Sequence, residues 1–267
     1  MKRYKLLPVC IIITLLLPSC IDANDSNISI VSDKDFVYIT SLNNVLCATT
    51  SCGYVTCPQI KELKLNECYF ISYQLDGKKE NNIYLANEFA NISEGPIPQG
   101  AFSIDKVPTQ ASWPVKDLKI SQFVPTKYKG DRWLLSYSFS SNSKKEIIPS
   151  FYYDSSKQID KDGRNIMKDN KIVIDVHFKE SNLNIKTNER INGQYSVVAD
   201  LERLREIYSA DYDRASTGDD GKKQIPVLIQ FRFYKDLTDG KTEVSYAGTW
   251  DAGLNNKAYY MVFIQKS

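Results

Sequence analysis

Apolar and polar residues alternate with a period of two over several short segments, which is the pattern of half-buried strands. In 69–75, Tyr69, Ile71, Tyr73 and Leu75 share one face and Ser72 and Gln74 the other, and Asp76-Gly77 then predicts a turn. In 133–139 the apolar face is Trp133, Leu135, Tyr137 and Phe139, with Ser136 and Ser138 opposite. In 172–178 it is Ile172, Ile174, Val176 and Phe178. In 227–234 it is Val227, Ile229, Phe231 and Phe233, with Gln230 and Arg232 outward. Asp239-Gly240 separates that segment from 242–250 and predicts a hairpin. Segment 258–264 is apolar on both faces and is expected to lie centrally in a sheet.

Helical spacing occurs once, where Leu201, Leu204 and Tyr208 recur with Ile207 beside them. Asp200 offers a cap, and Arg203, Arg205 and Glu206 would form the wet face. The pattern therefore predicts a mainly β, β-rich α+β chain: an antiparallel sheet or sandwich with one amphipathic helix near 200–210. Two long loops interrupt it. Segment 92–114 holds Pro96, Pro98, Pro108 and Pro114, and segment 208–223 is polar. Long loops on a rigid scaffold often carry function.

The first nineteen residues follow another logic. Lys2, Arg3 and Lys5 make a positive start, and an apolar run from Leu6 to Leu17 follows. That run is too short for the roughly 20 residues that span a bilayer, and it reads as a secretory signal. Its end, Leu17-Pro18-Ser19-Cys20, resembles the lipobox of bacterial lipoprotein precursors. The resemblance covers only these residues. It implies cleavage before Cys20, acylation of Cys20, and a partner in the membrane through the lipid anchor. Ile21 rather than aspartate after the cysteine favours the outer membrane by the same resemblance. The expected organisation is a signal at 1–19, a tether at 20–35 and a globular domain at 36–267.

Cleavage changes the charge balance. Loss of Lys2, Arg3 and Lys5 from 34 basic residues leaves 31 against 32 acidic ones. The slight basicity of the precursor is thus a targeting feature, and a nucleic-acid partner is not expected. Of six cysteines, Cys10 leaves with the signal and Cys20 takes the lipid. Cys47, Cys52, Cys57 and Cys68 remain, and an even number in an exported protein predicts two disulfides. A four-thiolate zinc site is the rival.

Several chemistries lack their residues. His177 is the single histidine, and its register places it with Val173 and Asp175, opposite the apolar stripe, in a structural or surface role. A Ser-His-Asp or Cys-His hydrolase would have to use it, and no Gly-x-Ser-x-Gly accompanies it. Phosphate-binding glycine motifs are absent. Asp211, Asp213, Asp219 and Asp220 do not match the calcium-loop spacing, and Asp160-Lys161-Asp162-Gly163 reads as a turn. No catalytic residue, metal or cofactor is expected. The leading expectation is a non-enzymatic protein-binding lipoprotein, such as a periplasmic immunity or inhibitor protein. The alternatives are a glycan- or ligand-binding surface lipoprotein and an envelope hydrolase built on paired carboxylates.

Overall fold

The computed structural model describes residues 30–93, 95–122, 131–139, 147–180, 195–218, 221–237, 239–250 and 258–265. The lipobox with Cys20, and Asp219 and Asp220, lie outside the described residues. Among the described residues no helix is long and apolar enough to cross a membrane.

The chain opens with five strands: β1 (Ile30–Leu42), β2 (Val45–Thr50), β3 (Gly53–Thr56), β4 (Cys68–Glu80) and β5 (Ile83–Asn91). They close into a barrel in the order β1-β2-β3-β5-β4, with β3 and β5 parallel and the other neighbours antiparallel. This is the arrangement of the OB-fold, a five-stranded Greek-key barrel. Tyr69, Ile71, Tyr73 and Leu75 point inward, as their alternation predicts, and meet Val37, Ile39, Ala48 and Val55. The β1–β2 and β4–β5 turns are the two-residue pairs Asn43-Asn44 and Asn81-Asn82. All four asparagines have positive φ, between 50° and 66°, the backbone that a twisted two-residue hairpin demands. Asp76-Gly77 does not turn the chain. Gly77, at φ 81°, sits where the β4–β5 register shifts, so β4 runs through it as a bulge.

β1 starts at Ile30, inside the segment expected to be a tether, because Ile30 and Val31 already pair with Leu75 and Gln74. Asp35 is buried there. Its Oδ2 accepts from the Tyr73 hydroxyl at 3.0 Å and from Ser51 N at 3.3 Å, which ties the β2–β3 hairpin to β1.

The remaining strands are β6 (Gln99–Ser103), β7 (Asp117–Gln122), β8 (Arg132–Ser138), β9 (Ile147–Tyr152), β10 (Lys171–Glu180), β11 (Tyr195–Asp200), β12 (Ser216–Thr217), β13 (Lys223–Asp236), β14 (Thr242–Ala247) and β15 (Tyr259–Ile264). They form one sheet in the order β12-β13-β10-β9-β6-β11-β8-β7, and β14 and β15 also pair with β13. The antiparallel expectation is corrected to a mixed sheet, since β6–β9, β6–β11 and β10–β13 are parallel. The sheet curls until Val115, just ahead of β7, bridges Lys235 of β13, so it is nearly a barrel. Inside lie the stripes read from the sequence, with Trp133 against Phe231 at 5.9 Å and Tyr137 against Phe178 at 5.1 Å between ring centroids. The hairpin at Asp239-Gly240 joins β13 to β14. β15 sends Met261 and Phe263 into the core but leaves Ile264 exposed, and among the described residues its only partner is β13.

The amphipathic helix shrinks to a single turn, Leu204–Ile207. Leu201, Leu204 and Tyr208 do reach the core, but Tyr208 is already extended. Arg205 is not on a wet face: its guanidinium forks onto the buried carboxylate of Asp131, with Nη2 to Oδ1 at 2.7 Å. The loop expected at 92–114 contains β6. There a Cβ on Gly100 would fall 2.3 Å from the Phe151 ring and 2.9 Å from Pro149 O, so only glycine fits.

A small apolar cluster welds the barrel to the curled sheet: Phe36, Cys68 and Phe70 from the first, Ile97, Leu134 and Val198 beside the second. The Arg132 guanidinium stacks 3.9 Å from the centre of the Tyr38 ring across the same junction.

The expected disulfides are corrected. Cys47, Cys52, Cys57 and Cys68 are all free. Sheet geometry gives the reason. β1 lies between β2 and β4, so Cys47 and Cys68 are two strand spacings apart, about 10 Å, beyond the reach of a disulfide. Cys57 points into the barrel with Val55, while Cys47, one residue from inward Ala48, points out. Cys52 sits at the far hairpin. The four cysteines are likewise not gathered into one four-thiolate group, and no group of metal-binding side chains occurs among the described residues.

Candidate functional site

The barrel is a poor place for a ligand. OB-type barrels bind through the β1–β2 and β4–β5 loops and the face between them, and here both loops are two residues long. The curled sheet is different. β10 and β13 run as parallel neighbours only as far as the facing pair Asp175 and Arg232. Beyond that pair each strand keeps its other partner, β9 or β14, while the two diverge. The stretch before β7 fills the gap. Ser112 Oγ accepts from Phe178 N at 2.9 Å, Trp113 N donates to Phe178 O at 3.0 Å, and Val115 N donates to Tyr234 O at 2.9 Å.

A cleft of about 800 Å³ lies over this divergence. Its floor is the polar face of β10, β13 and β14, where Asp175, Arg232 and Tyr246 stand in one row across neighbouring strands. Val107–Ser112 (107–112) forms one wall and 157–163 the other. The second wall is pinned by Gln158. Its amide donates to Val173 O and accepts from Val173 N, both at 2.9 Å, taking over the edge of β10 where β9 ends.

Comparisons with known proteins add little to this geometry. No family model matches the chain, and no curated protein resembles it in sequence. Solved structures similar to it include a protein of unknown function from Bacteroides vulgatus, with TM-score 0.44, 12% identity, and 87% of this chain and 96% of that one covered. A candidate lipoprotein from Bacteroides fragilis matches with TM-score 0.46 and 10% identity over 80% of this chain and 96% of that one. A NigD-like immunity protein from Bacteroides caccae matches with TM-score 0.41 and 10% identity over 84% and 94%. Likeness this distant says nothing of what this chain binds.

The cleft holds two carboxylates among its described lining residues, and each has an arginine. Arg232 grips Asp175 with both prongs, Nε to Oδ1 at 2.6 Å and Nη2 to Oδ2 at 2.7 Å. Burial works against the Arg232 charge, but the Asp175 carboxylate and the Tyr246 side chain outweigh it and hold the guanidinium firmly protonated. Asp160 accepts from the backbone of Arg164 and of Asp162 at 2.9 Å each, and from Arg164 Nε at 2.9 Å. The Arg164 backbone N–H leads in holding its carboxyl below the usual range, against a desolvation penalty. This is the tight turn read from Asp160-Lys161-Asp162-Gly163. A glycosidase acid needs a carboxyl that keeps its proton near neutral pH, and Asp160 is shifted the opposite way.

His177 shares the face of Asp175, as its register predicts, but it is not at the surface. It is 3% exposed beneath the wall, its ring edge-on to Tyr152 at 6.3 Å, and its buried Nε2 has no hydrogen-bond partner among the described residues. Burial first, and Lys179 second, push its pKa below the ordinary value and keep the imidazole neutral. The rim carries apolar side chains beside the exposed Lys157 and Lys161: Ile159, Tyr234 and Val244 are each 41–50% exposed, and the last two are cross-strand partners. The sequence pointed to the proline-rich loop, the outward Arg232 and the Asp175–His177 face, but not to their meeting. Asp175 and Arg232 are 57 residues apart, and only the β10–β13 pairing joins them. Cys20, the expected lipidation site, lies outside the described residues.

Proposed function

We propose that this protein is a non-enzymatic binding module of the bacterial envelope, anchored to the outer membrane through acylated Cys20, with the cleft over β10, β13 and β14 as its recognition site. The observation that carries this reading is the state of the two cleft carboxylates, Asp160 and Asp175, each committed to an arginine. Such a site presents hydrogen-bonding atoms to a guest, while both carboxylates among its described lining residues are already held by guanidinium groups. Its volume of about 800 Å³ falls within the range of ligand sites, roughly 300–1,000 Å³. A second reading, an immunity or inhibitor protein that meets a partner protein, is favoured by the exposed rim of Ile159, Tyr234 and Val244.

The test is cross-linking in bacteria that produce the full-length protein, with a photoreactive residue in place of Thr109 on the cleft wall. Adducts are expected in the membrane fraction, and they should vanish when Thr242→Trp fills the cleft. Adducts indifferent to Thr242→Trp overturn the cleft. Protein found only in the soluble fraction overturns the anchor.

A further inference from the structure

We infer that the cleft takes an acidic, partly apolar peptide segment of a partner protein. This inference rests on reading the cleft as the recognition site. The argument begins with which charges reach the solvent. Both carboxylates of the described lining are buried, and each is engaged by an arginine, Asp160 by Arg164 and Asp175 by Arg232. The lysines of the same lining are exposed. Lys157 has no ion-pair partner among the described residues; Asp154 feels its charge, but that carboxylate is buried and held by Ser156. Lys161 meets Asp162 at 3.1 Å, but both side chains are more than half exposed, and a surface pair of this kind contributes little. An anionic guest therefore meets two available ammonium groups before it meets a carboxylate, and a cationic guest meets like charge.

The apolar side chains narrow the guest further. Along the wall exposure alternates: Lys157, Ile159 and Lys161 face out, and Gln158 and Asp160 between them are buried. An apolar side chain thus stands between two cations, and Tyr234 and Val244 add exposed apolar surface from β13 and β14. A small inorganic anion would use the lysines and leave these three side chains wet. An acidic sugar would find one flat ring, Tyr234, but branched Ile159 and Val244 offer no planar face for it. A peptide brings carboxylates and apolar side chains on one chain. The opposite wall suits its main chain. Thr109, Gln110 and Ala111 lie outside any strand, and among the described residues their main-chain N–H and C=O groups have no backbone partner. A peptide backbone carries both complementary groups. The volume of about 800 Å³ admits a short segment and excludes a folded domain.

The experiment uses the purified lipoprotein in an uncharged detergent, titrated against a synthetic array of hexapeptides that alternate Asp or Glu with Leu, Val or Phe. Matched arrays carry Lys or Gln at the acidic positions, and oligogalacturonate is the acidic guest without a peptide. Binding is read by fluorescence anisotropy. His177, the single histidine, reports from the cleft through its imidazole signals. The expected result is saturable binding of acidic peptides that shifts those signals and falls with added salt. It should weaken about threefold in Lys157→Gln and about tenfold when Lys161→Gln is added, both at exposed positions that leave the fold intact. Equal binding of the Lys or Gln arrays, or tighter binding of oligogalacturonate, overturns the inference. So does failure of the whole acidic array. In each of these cases, Thr109 adducts that vanish in Thr242→Trp leave the recognition cleft standing, whereas their absence brings it down as well.

Discussion

Removing Arg232 tests the physical core of the cleft. In Arg232→Met the methylene stem is largely kept and the guanidinium is lost. Asp175, 9% exposed, then loses both prongs of its fork, which measure 2.6 and 2.7 Å. Breaking a buried pair by deleting one partner costs about 3–5 kcal/mol, because the other charge stays buried. Each side chain here is 13% exposed and the cleft admits water, so the low end applies, about 3 kcal/mol. At roughly 2–4 °C per kcal/mol for a chain of this size, the melting temperature should fall by about 6–12 °C. Asp175→Leu in the same chain removes the stranded carboxylate and should restore most of the loss, so the two substitutions should be strongly non-additive. Calorimetric melting of wild type, both single variants and the double variant gives the cycle. A drop below about 2 °C in Arg232→Met, or simple additivity, would refute the reasoning.

Other consequences can be measured on the same protein. Alkylation of the native chain should mark Cys52 first and reach Cys47, Cys57 and Cys68 only on unfolding, since these three are buried and burial pushes the Cys47 and Cys57 thiols up; a disulfide in the non-reduced mass spectrum would contradict the sheet geometry. Gly100→Ala should cost about 1–3 kcal/mol by overpacking against Phe151, and Phe151→Leu should relieve part of that in denaturant melts. Phe36→Ala at the junction of barrel and sheet should cost about 3–5 kcal/mol, read in the same melts. His177 has a folded pKa below its ordinary value near 6.5, so the unfolded chain takes the proton first as pH falls. Its contribution to stability is therefore present above about pH 6.5 and is lost below it, and His177→Gln should lose less stability between pH 7.5 and 5.5 than wild type; equal losses would contradict the burial.

What was legible in the sequence was what period two encodes. Tyr69 to Leu75, Trp133 to Phe139, Ile172 to Phe178 and Val227 to Phe233 all turn the expected face inward. The outward positions were right as well, since Arg232, Asp175 and His177 lie opposite the core. Which strands are neighbours is a long-range property, so the β3–β5 closure, the parallel β10–β13 pair and the Asp175–Arg232 fork did not show. Leu201, Leu204 and Tyr208 kept their helical spacing for only one turn because tertiary packing fixed them. The four cysteines misled because count and compartment say nothing of which face of a barrel wall each one occupies. Asn43-Asn44 and Asn81-Asn82 carried a turn signal through asparagine's tolerance of positive φ, and the Asp76-Gly77 signal was spent on a bulge.

The central claim is that the cleft holds a guest and does not transform it. The most direct measurement is the mass of the adduct captured by the photoreactive residue at position 109 in living cells, with and without Thr242→Trp. The account predicts an adduct carrying an intact ligand, present in the wild-type cleft and lost when Trp fills it. A cleaved ligand, or an adduct unchanged by the filled cleft, would contradict it.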